Sequence, residues 1–118
     1  MEDDATIVLT YPQAQVILQP SWNWPFNRKD MEIYGQTGTV MVPRNDLLRV
    51  HTAFIPDEKE VVPPAITGPG ADPLSFFAAV VRRDIEPTGL SSLDVNVTVV
   101  EILEAAHRSV ETGRRVDF

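Results

Sequence analysis

The chain has 118 residues, 43% of them apolar and 23% charged, which is a globular balance and enough for one domain with a real core. Seventeen acidic against ten basic side chains give a net charge of −7, a field that repels nucleic-acid backbones and anionic lipid. No cysteine is present, no apolar run approaches the roughly 20 residues of a membrane span, and Met1-Glu2-Asp3-Asp4 is unlike a signal peptide. Disulfides, thiolate catalysis and cysteine zinc sites are excluded, and the chain reads as cytoplasmic, with neither nucleic acid nor membrane as partner.

The first half reads as strands. Residues 5–11 and 14–22 are rich in β-branched and long apolar side chains, and Pro12-Gln13 between them suits a hairpin turn. A polar loop covers 23–29. Residues 30–35 and 38–43 flank Gln36-Thr37, with Gly35 and Gly38 supplying turn flexibility. A fifth strand is expected over 46–52 and a weaker one over 58–62. Short links between successive strands predict a mainly antiparallel sheet.

Residues 63–70, with Pro63-Pro64 and Gly68-Pro69-Gly70, form a crossover loop where the apolar period changes from 2 to 3.6. Asp72-Pro73 is a helix start, and Leu74, Phe77, Ala78 and Val81 fall on one helical face. Arg82 and Arg83 sit in its last turn, and Pro87 and Gly89 end the element. A second helix is expected over 93–112, with Ser91 or Ser92 as the N-cap, Gly113 as the C-cap and a stripe from Val95 to Val110. Residues 114–118 read as a short terminal strand rejoining the sheet.

The sum is an α+β domain over 1–118: a mainly antiparallel β-sheet of about five to seven strands with two helices packed on one face. The other face also carries apolar side chains. If Ile7, Leu9 and Tyr11 point inward, Thr6, Val8 and Thr10 point outward, and Tyr34 and Met41 oppose Ile33 and Val40. Thr6, Val8, Thr10, Tyr34 and Met41 are therefore candidate interface residues, and the chain is expected to be a homo-oligomer through the sheet face.

Three segments carry a resemblance: SWNWPFNRKDMEIYGQTGTV at 21–40, DPLSFFAAVVRRDIEP at 72–87, and SSLDVNVTVVEILEAAHRSVETGRRVDF at 91–118. In this order they resemble the C-terminal part of the Gfo/Idh/MocA family, NAD(P)-dependent oxidoreductases acting mostly on sugars and polyols. The motifs are an aromatic strand end before E-I-Y-G-x-x-G-T, and a terminal E-A-A-x-x-S-x-x-T-G-R-x-V. The resemblance implies the back part of a substrate domain that assembles through its sheet. It also implies NAD or NADP and a sugar-like substrate for the parent protein.

The family's chemical motifs are missing here. There is no G-x-G-x-x-G, so the Rossmann domain is absent from these residues. Lys29 and Lys59 are the only lysines, and neither stands in the family's Glu-Lys-Pro motif. The family's Asp…His pair would precede Met1. No catalytic, cofactor-binding or metal residue is carried over, and the isolated segment is expected to be inactive. The alternative is a stand-alone module derived from that family that binds a small molecule or a protein.

The most chemical-looking segment is Trp22, Asn23, Trp24, Arg28 and Lys29. Flat rings can stack on sugar faces, and the amide and cations can bond hydroxyls or a carboxylate, so these five are the candidate substrate contacts. Covering the sheet's edge and anchoring the loop, or packing in a subunit interface, is the first-ranked explanation of the rings. His51 and His107 lack metal-ligand spacing and read as structural, although a small enzyme built on His51 and a carboxylate is a third, last-ranked reading. Asp57-Glu58-Lys59-Glu60 reads as a solvated charged turn, and Arg114-Arg115 as pairing with nearby acids. The sequon Asn96-Val97-Thr98 falls in the expected second helix and is incidental.

Overall fold

A computed structural model describes residues 3–117, apart from the side chain of Pro56. The chain divides into two compact units, Met1–Ala65 and Ile66–Phe118. The first is all strand and the second all helix, so the class is α+β with antiparallel strands.

The strands form two sheets rather than one. In the first, β1 (Ile7–Tyr11) pairs with β2 (Ala14–Leu18) around Pro12-Gln13. Ile7 and Leu9 are half-buried, while Thr6, Val8 and Thr10 face outward, as alternation requires. Tyr11 does not follow Ile7 and Leu9: it closes the hairpin opposite Ala14 and is exposed. Residues 19–30 contain only the isolated bridge of Ser21 with Asp4, so no short link carries β2 into the next strand. That long irregular segment, rich in Pro and Asn, is the physical reason for two sheets.

The second sheet has the order β3-β4-β5-β6, with β3 Met31–Gly35, β4 Gly38–Arg44, β5 Leu47–Thr52 and β6 Ile55–Val61. Its register sorts the side chains. Met31 faces Val42, Ile33 faces Val40, Val40 faces Val50, and Leu48 faces Val61. These share one face, which is apolar apart from Lys59 opposite Val50 and Thr52 opposite Gly38. Glu32, Tyr34, Thr39, Met41, Arg49, His51 and Glu60 share the opposite, charged face. The two glycines of the β3–β4 turn do not act through left-handed backbone, since neither has positive φ. At Gly38 the need is space: a Cβ there would lie 2.5 Å from the His51 carbonyl oxygen.

In the second unit a short 3₁₀ turn, Gly68–Ala71, interrupts the expected loop. Helix α1 is Pro73–Val81, and the Asp72 carboxylate accepts the Ser75 N–H at 2.9 Å. Bonds from Ser75 hold the Asp72 carboxyl below its usual range. The helix ends in a Schellman motif: the Asp84 N–H donates to the Ala79 carbonyl and the Arg83 N–H to that of Val80, both at 2.9 Å. Arg83 occupies the left-handed position at φ 64°, where glycine is usual. After a second 3₁₀ turn, Gly89–Ser91, helix α2 runs Leu93–Thr112 between Ser92, which accepts the Val95 N–H, and Gly113 at φ 63°.

One expectation is corrected: residues 114–117 form no strand, and Phe118 lies outside the described residues. Of the face formed by Leu74, Phe77, Ala78 and Val81, only Ala78 is half-buried and the other three are exposed, while Phe76, Ala79 and Val80 are shielded. The helix PLSFFAAVV is apolar all round, so spacing alone does not choose its buried side.

Only Ala79 and Ala105 are buried among the described residues. The chain exposes 10582 Å².

Candidate functional site

Residues 26–30 and the ends of β3 and β4 border a half-open cavity of about 500 Å³ in the first unit. Its apolar lining comes from Phe26, Met31, Met41, Val42 and Pro43, and its amides from Asn27 and Asn45. Four cations, Arg28, Lys29, Arg44 and Arg49, line it against two carboxylates, Asp30 and Glu32. With Asp46, Glu58 and Glu60, which stand against the lining arginines, five carboxylates face the four cations, so the cluster is mixed in charge and has no net positive field.

Arg28 is held side-on by an acid, and Arg44 and Arg49 each bring Nε close to one. Arg28 donates Nε–H to Asp30 Oδ1 at 2.8 Å and an η-nitrogen hydrogen to Oδ2 at 2.7 Å. That bond holds the Asp30 carboxyl below its usual range and raises the Arg28 guanidinium. Arg44 Nε lies 2.7 Å from Asp46 Oδ1. Arg49 Nε lies 3.2 Å from Glu60 Oε1 and 3.8 Å from Glu58 Oε1, across the β5–β6 pair. The stretch expected as a charged turn thus lies within β6, where Glu58 and Glu60 hold a lining arginine. Glu32 accepts the Tyr34 hydroxyl at 2.8 Å, which raises the Tyr34 phenol.

The five expected substrate contacts separate. Arg28 and Lys29 line the cavity. Trp24 stands behind it, with the Arg28 guanidinium carbon 4.9 Å from its ring centroid, a cation–π contact. That contact occupies a Trp24 face otherwise open to a sugar. Trp22 is 89% exposed, and Asn23 turns its N–H to Ser21 Oγ at 3.1 Å; neither lines the cavity. Arg44, Asn45 and Arg49 come from the β4–β5 hairpin and were not singled out from sequence. The only available signal was cations spaced so that hairpin pairing returns them beside 28–32.

The five expected interface residues also separate. Thr6, Val8 and Thr10 belong to the first sheet, while Tyr34 and Met41 share the charged face of the second. The second sheet's apolar face is the opposite one, where Met31 and Ile33 are half exposed.

His51 pairs with Thr39 and is exposed on the charged face. Arg115 meets Asp117 at 2.8 Å. The Asn96 amide donates to the Leu90 and Ser92 carbonyls, so it serves the start of α2. Among the described residues, no three His, Asp or Glu side chains are placed to hold a metal, and no helix is long and apolar enough to cross a membrane. Gly68-Pro69-Gly70 does not fit a dinucleotide cradle: it forms a four-residue 3₁₀ turn, not a strand-to-helix corner. Comparison with known proteins found no matching family model, no matching curated protein and no matching solved structure.

Proposed function

We propose that this chain is the substrate-binding and oligomerisation portion of an NAD(P)-dependent oxidoreductase acting on sugar- or polyol-type compounds. The resemblance of residues 21–40, 72–87 and 91–118 to the Gfo/Idh/MocA family supplies the reaction class. The observation that supports the binding and assembly role is the second sheet, which has one apolar face and a polar cavity at one end. On this reading the nicotinamide cofactor is held by another region of the parent protein. The residues here bind and orient substrate, and a second copy covers the sheet.

The test is the reading frame upstream of codon 1 in the source genome. An in-frame Glu-Lys-Pro preceded by G-x-G-x-x-G is expected, and the full-length protein should then reduce NAD⁺ or NADP⁺ with a polyol. A stop codon and ribosome-binding site immediately before Met1 contradict the reading. They would favour a stand-alone binding module, for which the cavity's confinement to residues 26–49 already speaks.

A further inference from the structure

We propose that the cavity is an anion subsite, selective for the carboxylate or phosphate of a small hydroxyl-bearing ligand through the open guanidinium ends of Arg28, Arg44 and Arg49 together with Lys29. The inference rests on the reading of residues 26–49 as substrate-facing, and it names the ligand's chemistry.

A guanidinium offers two bidentate edges: the side edge, which includes Nε, and the end edge, formed by the two η-nitrogens. Here the acids take the side. Asp30 takes the Nε side of Arg28, Asp46 that of Arg44, and Glu58 with Glu60 that of Arg49. No bond to a described residue spans the end edge of any of the three. The acids therefore act as orienting struts. They fix three long side chains at a cavity wall and lower the rotamer entropy that an anion would otherwise have to overcome.

Lys29 adds a fourth cation and makes no ion pair with a described residue. A compact, rotatable ammonium complements planar forks at an oxyanion. Asn27 and Asn45 give the same cavity two neutral amides, each able to donate to and accept from a hydroxyl. Phe26, Met31 and Met41 give it apolar wall for a carbon chain. A neutral polyol would use the amides and the wall but leave the forks unmatched. A polyhydroxy acid or a polyol phosphate would use all three parts.

The arginines are partly exposed, with side-chain exposures of 49%, 67% and 44%, so the site should be salt-sensitive. Because the paired carboxylates offset the arginines' charge, the anion is held by directed bonds from the open guanidinium ends and the Lys29 ammonium, not by a net positive field.

Three probes of matched carbon chain decide it: glucitol, gluconate and glucitol 6-phosphate. Each is titrated into the 118-residue chain at low salt, read by calorimetry and by amide shifts over residues 26–49. At least one anion should bind about tenfold or more tighter than glucitol, and which one does so tells carboxylate from phosphate. Lys29→Gln, outside the strands, and Arg44→Gln, at the end of β4 opposite Leu47, should each weaken the anion about tenfold without changing the circular dichroism. Arg49→Gln is the third variant, with Lys29 and Arg44 deciding if it disturbs the β5–β6 pair. Equal binding of glucitol and its anions overturns the anion subsite while keeping the substrate-facing reading. Anion affinity unmoved in the Lys29 and Arg44 variants also overturns it. Failure of all three probes overturns the subsite and the substrate-facing reading together; the oxidoreductase assignment is judged separately by the upstream reading frame.

Discussion

Single residues carry the two clearest departures from sequence expectation. Arg83 sits at φ 64° in the position of a Schellman motif that glycine ordinarily fills. An L side chain there crowds its own carbonyl, and glycine's larger unfolded-state entropy offsets only part of the relief. Arg83→Gly should therefore stabilise the helical unit by about 0.5–1 kcal/mol, seen as a higher thermal midpoint by circular dichroism. Gly38 shows the reverse case. Its missing side chain lets β4 lie against β5, and Gly38→Ala would drive a methyl into the His51 carbonyl. A loss of about 1–3 kcal/mol is expected, measured by urea unfolding.

At the scale of elements, local chemistry was readable wherever one residue type answers one backbone need. Asp72 with Pro73, Ser92 and Gly113 bound the helices as capping rules require. The β1–β2 and β3–β4 turns fall at Pro12-Gln13 and Gln36-Thr37 as expected, the β5–β6 turn falls at Ala53-Phe54 where no Pro or Gly announces it, and the 93–112 helix has the bounds its periodicity suggests. What escaped was whatever depends on a partner in space. The buried side of α1 is undefined in an all-apolar helix, and the split into two sheets depends on residues 19–30 staying irregular. Half of the cavity was legible at Arg28 and Lys29. The other half, Arg44 and Arg49, arrives only through β4–β5 pairing, which no local pattern announces. The sheet faces follow the same logic. Tyr34 and Met41 look like interface residues by alternation, yet the register sets them among Glu32, Arg49 and Glu60. Assembly through the apolar face predicts that Val40→Glu weakens self-association about a hundredfold, because it places a charge at the face's centre. Tyr34→Ser on the charged face should change it by no more than about twofold. Sedimentation velocity across a dilution series separates the two.

For the whole molecule the governing quantity is surface. A chain with 43% apolar residues that buries only two alanines among its described residues has not spent its hydrophobic free energy internally. Covering one face of a four-stranded sheet would remove about 1,200–2,000 Å² or more. Folding and assembly should then be one coupled event, and stability should depend on protein concentration. The most direct measurement is sedimentation equilibrium of the chain, with the thermal midpoint recorded over about a hundredfold range of concentration. The account predicts a mass of a dimer or larger and a midpoint that climbs with concentration. A cooperatively folded monomer with a constant midpoint throughout that range would contradict it.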